Sequence, residues 1–278
     1  MKLFMKRAHQ VLLALLLGTS LTPTQAELVG YWGFEEGGGT TIVDSSGTGN
    51  NGTLINGESA RVSGKVGDAL YFGGTVGPSS TRVVIPDNST LDMSTSLTFA
   101  AWVKPDAPWG DQPIFAKEGP NSGDLAYWFG ILRNGYGILA DFDGSPPWTT
   151  PEEGVQRQVG SVTADVWTFL VTTWDGNTIS YYQNGDFLTS LPFSGGSIHN
   201  SPQDLVIGVN AANYTSSNGR AFQGSIDEVR VYNNALSGAE VAALYNLSPV
   251  PEPETYAMLL AGLGLLGFMA RSRKESAV

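Results

Sequence analysis

The sequence predicts an all-β sandwich of two packed sheets, with one short helix near the end of its body. Three observations predict it. Glycine is abundant, 35 of 278 residues, and charge is sparse at 15%, so turns are frequent and long solvated helix faces are not. Short apolar or alternating runs recur between clusters of Gly, Asn, Asp, Ser and Pro, which is the spacing of strands and turns. In the body one helix is credible, after Ser237, where a capping box precedes an apolar face.

In chain order, residues 28–34 (Leu-Val-Gly-Tyr-Trp-Gly-Phe) read as a first strand. Residues 35–56 are rich in Gly, Asp, Ser and Asn and read as loop with short strand pieces. Residues 69–72, 82–85 and 97–103 are strands, the last ended by Lys104-Pro105. Strands follow at 114–117, 126–132 and 137–142, with Asn134-Gly135 as a hairpin turn. Residues 106–113 and 143–154 read as Pro-rich loops, each with a tryptophan. Residues 167–174 and 178–183 form a hairpin around Asp175-Gly176-Asn177, and Asn184-Gly185 turns the chain into 187–191. Residues 205–209 and 222–232 are the last strands. Ser237 and Glu240 then make a capping box, and Val241, Leu244 and Tyr245 give the helix an apolar face. Trp32, Trp102, Trp167 and Trp174 fall inside these strands and read as core.

Composition narrows the functional classes. The two ends hold six of the fifteen Lys and Arg and three of the 26 Asp and Glu. The body therefore keeps nine against 23, a net charge of −14. That balance argues against nucleic acid or anionic lipid as a partner and suits a soluble surface protein, a neutral sugar or a divalent cation. There are no cysteines, which excludes disulfides, thiol catalysis and thiolate metal sites. The body has a single histidine, His199, in a polar loop, where it reads as a surface residue; a zinc site would lack its usual ligands.

The ends carry addresses. Lys2, Lys6 and Arg7 precede an apolar run at 11–17, and Thr24-Gln25-Ala26 offers a small residue for cleavage after Ala26. Residues 1–26 therefore read as a secretory signal peptide, an uncleaved anchor being the alternative. That leaves 27–247 as one domain and 248–278 as a tail. In the tail Pro251-Glu252-Pro253 keeps the chain extended before an uncharged apolar helix at 256–270, followed by Arg271, Arg273 and Lys274. At about 1.5 Å per residue that helix spans about 22 Å, short of the ~30 Å of a bilayer core. It suits transient inner-membrane insertion, with the basic end cytoplasmic and everything upstream outside. These three parts in order resemble the PEP-CTERM sorting signal of exported Gram-negative bacterial proteins. The resemblance implies processing by an exosortase-type protease and a host that makes extracellular polysaccharide. An ordinary single-pass anchor is the alternative.

The body resembles the LamG-like jelly roll of the concanavalin A-like lectin and glucanase superfamily. The stretches that carry the resemblance run in order: Tyr31-Trp32-Gly33-Phe34-Glu35-Glu36-Gly37, Asp44-Ser45-Ser46-Gly47, Asn51-Gly52-Thr53-Leu54, Gly67-Asp68-Ala69-Leu70-Tyr71-Phe72, Leu97-Thr98-Phe99-Ala100-Ala101-Trp102-Val103, Trp167-Thr168-Phe169, Tyr182-Gln183-Asn184-Gly185, and Gly224-Ser225-Ile226-Asp227-Glu228-Val229-Arg230-Val231-Tyr232. One departure is Asn51, where the family usually has His. The resemblance implies a two-sheet jelly-roll sandwich. It also implies a structural Ca²⁺ between the first and last strands, held by Glu35, Asn51, Gly52 and Asp227, whose oxygens suit that ion. The alternative is that Asp227 caps a turn and Glu35 is solvated.

Trp109, Tyr136 and Trp148 are candidates for a sugar platform, since aromatic faces stack on pyranose rings and two of the three lie in loops. Asp141 and Asp143, with Asp111 and Gln112, are near in sequence and suited to hydroxyl groups; the alternative makes both loop tryptophans lids on the core. Asp141 and Asp143 share a strand face, and paired carboxylates can hydrolyse glycosides. The Glu-x-Asp-x-x-Glu motif of the superfamily's enzymes is absent from the sequence, however, so no catalytic residue is expected. The sequence thus reads as an exported, non-enzymatic surface or matrix protein that binds polysaccharide. A structural adhesion protein with a protein partner is the alternative, and a glycoside hydrolase or lyase the more distant one.

Overall fold

A computed structural model describes residues 27–58, 60–108, 110–119, 125–132, 135–140, 159–192, 197–210 and 220–246. Two antiparallel sheets face each other, as the alternating runs require. The first sheet, in spatial order, is β13 (Asp186–Pro192), β12 (Thr178–Gln183), β11 (Thr168–Trp174), β7 (Leu97–Pro105), β15 (Gln223–Tyr232), β5 (Asp68–Gly73) and β4 (Arg61–Ser63). The opening strand β1 (Leu28–Trp32) also pairs with β15, so the first and last strands lie side by side. The second sheet is β10 (Gly135–Ala140), β9 (Leu125–Leu132), β8 (Asp111–Glu118), β14 (Leu205–Ile207), β6 (Arg82–Ile85), β3 (Gly52–Ile55) and β2 (Thr41–Ile42). The helix α1 (Gly238–Tyr245) follows β15.

Aromatic residues lock the sheets together. Phe99 of β7 meets Phe115 of β8 edge-on at 5.0 Å and Tyr127 of β9 at 5.0 Å. Trp32 and Trp174 are buried in the same core, as expected. Trp102 is buried too, but not between the sheets. It sits on the outer face of the first sheet, stacked on Tyr245 of α1 at 5.5 Å and packed with Phe169 at 5.2 Å. Trp167 lies partly buried against that second cluster and just precedes β11. The helix is capped as the sequence indicates: Ser237 accepts from the Glu240 amide, and Glu240 accepts from the Ser237 amide at 2.7 Å.

Two turn expectations hold in detail. Asp175 accepts from Asn177 and Thr178 amides at 2.9 and 2.7 Å, which closes the β11–β12 turn. Asn184 and Gly185 both have positive φ, 54° and 85°, the backbone a two-residue I′-type hairpin requires. The reading of 106–113 as one loop is corrected. β8 begins at Asp111, and Pro113 is accommodated at an irregularity in the β8–β9 ladder. Strand β4 was not expected, because three residues with one apolar side chain carry no pattern.

Candidate functional site

The pairing of β1 with β15 brings Glu35, just past β1, and Asp227, within β15, to one hairpin turn, the Gly64–Asp68 connection between β4 and β5. Asp227 is fully buried. Its Oδ2 accepts from the Lys65 and Val66 amides at 2.8 and 3.0 Å. Its Oδ1 is buried with no partner among the described residues. Burial, reinforced by the neighbouring Glu228 carboxylate and opposed by the turn's amides, pushes the Asp227 carboxyl up to about 8. Glu35 Oε1 accepts from the Asp68 amide at 3.0 Å; burial raises its carboxyl too, against that hydrogen bond. Gly67 in the turn has φ +51°, a backbone that favours glycine, and a Cβ there would lie 2.1 Å from Glu35 Oε2, so any side chain would displace that carboxylate.

Beside Asp227, the ladder between β15 and β7 shifts register between Asp227 and Arg230, and Glu228 takes a left-handed φ of 55°. The bulge aims the Glu228 carboxylate at two partners. Tyr31 donates its hydroxyl to Oε1 at 2.7 Å, and Arg230 forms a buried ion pair through Oε2. The Arg230 guanidinium lies 4.2 Å over the Tyr31 ring, and burial pushes the Tyr31 hydroxyl well above the usual tyrosine range. Lys65 of the same turn places its ammonium 4.6 Å over the Trp102 ring. Sequence reasoning missed Glu228, Arg230 and Tyr31 as partners. The one available signal was three ionic residues, Asp227, Glu228 and Arg230, inside an apolar terminal strand.

The Asn51 side chain is engaged in a second cluster, that of Asp44. Asn51 Oδ1 accepts from the Asp44 amide at 2.8 Å, and Gly52 opens β3 in the second sheet. Asp44 is the hub there, buried and accepting from the Tyr31, Ser46 and Asn50 amides and the Thr48 hydroxyl. Burial pushes its carboxyl up, but these hydrogen bonds outweigh it and hold it below the usual range. Among the described residues no three His, Asp or Glu side chains gather closely enough to hold a metal by themselves.

Of the sugar-platform candidates, Trp109, Trp148, Asp141 and Asp143 lie outside the described residues, as does the side chain of Tyr136, whose backbone pairs with Ile131. Gln112 is buried and committed, donating to the Ala107 carbonyl at 2.7 Å and accepting from the Gln223 amide at 3.0 Å. Asp111 pairs with Arg220 at 3.3 Å. His199 is partly buried, less exposed than a surface loop residue would be. Ala26, Pro251, Glu252, Pro253, Arg271, Arg273 and Lys274 also lie outside the described residues. No described helix is long and apolar enough to cross a membrane.

A two-sheet sandwich whose first and last strands clasp one loop defines a lectin-like jelly roll. The chain belongs to the concanavalin A-like lectin/glucanases superfamily, whose pattern matches residues 77–242. Residues 249–274 match the PEP-CTERM protein-sorting motif, which marks an exported protein of Gram-negative bacteria, at the cell surface or extracellular. Among solved structures, the chain is similar to domain 4 of AbnA, a GH43 extracellular arabinanase from Geobacillus stearothermophilus, in complex with arabinotriose. The two are 24% identical, with a TM-score of 0.58, over 80% of this chain and 99% of that one. It is also similar to the binding domain of Paraclostridial Mosquitocidal Protein 1, at 17% identity and TM-score 0.57 over 79% of this chain and 52% of that one. The binding domain of botulinum neurotoxin DC in complex with rat synaptotagmin II matches at 14% identity and TM-score 0.55, over 79% and 51%. The chain thus spans about half the length of these toxin binding domains. No curated protein matches it.

Proposed function

We propose that the chain is a non-enzymatic binding protein whose ligand is a polysaccharide of the cell surface or extracellular matrix. The observation that carries this reading is its likeness to nearly the whole of the AbnA domain solved with arabinotriose, a domain attached to an enzyme acting on a polysaccharide. The acidic body and the sorting motif support it, since an anionic exported protein meets neutral glycans and not nucleic acid. The candidate contacts are Trp109, Tyr136 and Trp148, with Asp141 and Asp143. A glycan array probed with the 27–247 body tests the reading. Retention of one polysaccharide class is the expected result. A silent array turns the assignment to the second reading, an adhesion protein with a protein partner, which the synaptotagmin-bound toxin domain favours. In either case the motif makes an exosortase the processing partner.

Structural Ca²⁺ at the Gly64–Asp68 turn is part of the same proposal. The fit rests on Asp227 Oδ1, a buried oxygen with no described partner, and on the Glu35 carboxylate over the same turn. Hard oxygen donors of this kind suit Ca²⁺, with carbonyls and water completing its 6–8 ligands. The Asn51 side-chain oxygen is taken up by the Asp44 amide, so Asn51 and Gly52 would contribute through their carbonyls, beside Glu35 and Asp227. The ion would neutralise two carboxylates and fix the turn to the first and last strands.

A further inference from the structure

The second sheet carries a buried charge that neither reading above uses. Lys117 in β8 is fully buried. An ammonium withdrawn from water is costly unless oxygens replace its hydration. Four surround Lys117 Nζ. Asp87 Oδ1 forms an ion pair with it, Asp92 Oδ1 lies at 3.3 Å, and the Ser201 and Gln203 carbonyls accept at 2.5 and 2.8 Å. They come from separate pieces of chain. Asp87 follows β6, Asp92 closes the 3-10 turn Ser89–Leu91, and Ser201 and Gln203 precede β14. β14 pairs with both β6 and β8, so the ammonium sits where three strands and their flanking loops converge. Tyr127, the neighbour of Lys117 across the β8–β9 ladder, is also fully buried and donates to the Leu91 carbonyl at 3.1 Å. Burial, with the negative charges of Asp92 and Asp87, raises the Tyr127 hydroxyl well above the usual tyrosine range.

Two carboxylates and two carbonyls, gathered from remote loops around one point, are the donor set of a hard divalent cation. One ammonium leaves that set with an uncompensated negative charge; a dication would balance it. We infer that this is a cation site whose occupant is the chain's own Lys117, the ammonium standing where a bound Ca²⁺ would otherwise pin the loops. The junction of β6, β8 and β14 is therefore metal-independent. The inference does not rest on the Glu35–Asp227 turn binding calcium.

The experiment is thermal melting of the full chain in detergent, with and without millimolar Ca²⁺. It is run in an Asp227→Asn background so that the other proposed site contributes nothing. Lys117→Met keeps the apolar stem and empties the cage of its cation. Its melting temperature should fall, and Ca²⁺ should raise it again by several degrees, whereas the Lys117 parent should not respond. Tb³⁺ should bind the Lys117→Met cage and emit on excitation of Tyr127, and Tyr127→Phe should remove that emission. Lys117→Gln, which keeps one donor in the cage, is the second variant and should respond to Ca²⁺ in the same direction. Equal melting of both variants with and without Ca²⁺ overturns the inference. So does failure of both to fold even with Ca²⁺, or Tyr127-sensitised emission from the Lys117 parent.

Discussion

The carboxylate of Asp227 lies against Gly64: a Cβ on that glycine would stand 2.7 Å from Asp227 Oδ2 and 2.5 Å from the Asp68 carbonyl oxygen. Real side chains do not tolerate either distance, so Gly64→Ala must move the turn, the strand, or both. Asp227 Oδ2 holds two amides of the same turn, and moving it breaks that clasp. We expect Gly64→Ala to destabilise by about 1–3 kcal/mol, the usual cost of overpacking a filled site. Urea denaturation measures it, and an unchanged midpoint would show that the turn relaxes freely.

The same carboxylate sets a pH dependence. Its folded pKa of about 8 stands above the ordinary aspartate value of 3.8, so the folded chain holds this proton more tightly than the unfolded one. Stability from this group is full below pH ~4, is lost as pH rises towards ~8, and levels off above. Melting in chelator should therefore show wild type losing stability relative to Asp227→Asn between those limits. Calcium favours the charged carboxylate and should stabilise most at the high end of the window. A ligand specific for the folded state at a hundredfold excess over Kd adds about 2.7 kcal/mol. Identical melting with calcium and with chelator at pH 8 removes the metal from the proposal.

Asp44 makes the opposite prediction. Its lowered carboxyl contributes stability above its unfolded value, lost as pH falls through the folded one. Asp44→Ala would strip the Tyr31, Ser46 and Asn50 amides of their acceptor at once. Hydrogen bonds to a charged group are worth about 1.5–3 kcal/mol each, and a lost buried acceptor carries its full desolvation penalty. We expect a loss of about 3 kcal/mol or more, with Asp44→Asn losing less because an amide oxygen still accepts. Equal losses from the two variants would mean that charge and not hydrogen bonding matters there.

Most of the fold was legible because its signals are local. Alternation located the strands, and Asn184-Gly185 and the Ser237–Glu240 box announced their turn and cap. What was not legible depended on remote partners. β7 is buried on both faces, so its pattern does not say that Phe99 points between the sheets while Trp102 points outward under α1. Pro113 hid the start of β8, because a proline in a strand is tolerated only where the ladder is irregular. Lys117 reads as the polar end of a strand; nothing near it in sequence announces Asp87, Asp92, Ser201 and Gln203. Glu35 and Asp227 were placed together by the family resemblance, and the paired first and last strands bear that out. The engagement of the Asn51 side chain by Asp44 was invisible, since that partner lies seven residues away in a loop without periodicity.

Sorting gives a prediction independent of the fold. The motif at 249–274 implies cleavage near Pro251-Glu252-Pro253, with loss of the apolar run and of Arg271, Arg273 and Lys274. Mass spectrometry of the mature surface protein should find no peptide from 256–278, and its N-terminus should begin at Glu27. Surface protein that retains an intact basic end would refute processing by an exosortase.

The ligand surface is decided by one pair of variants. Trp109 follows a short connection whose neighbours are fixed: Asp106 accepts from the Tyr71 hydroxyl at 2.7 Å, Ala107 accepts from Gln112, and Asp111 pairs with Arg220. Trp148 lies in a stretch that places two prolines immediately before it, which limits the backbone freedom lost on binding. If the two indoles are a sugar platform, Trp109→Ala and Trp148→Ala should each weaken polysaccharide retention while leaving the melting temperature nearly unchanged. If they are lids on the sandwich, each should destabilise by ~3–5 kcal/mol, the usual result of emptying a buried aromatic site. Stability by urea denaturation and binding by affinity electrophoresis in the polysaccharide identified on the array separate the two. Variants that melt normally and still bind would take the sugar off these loops. The outer face of the first sheet, where Phe187 stands 57% exposed beside Tyr182, would then be the next surface to mutate.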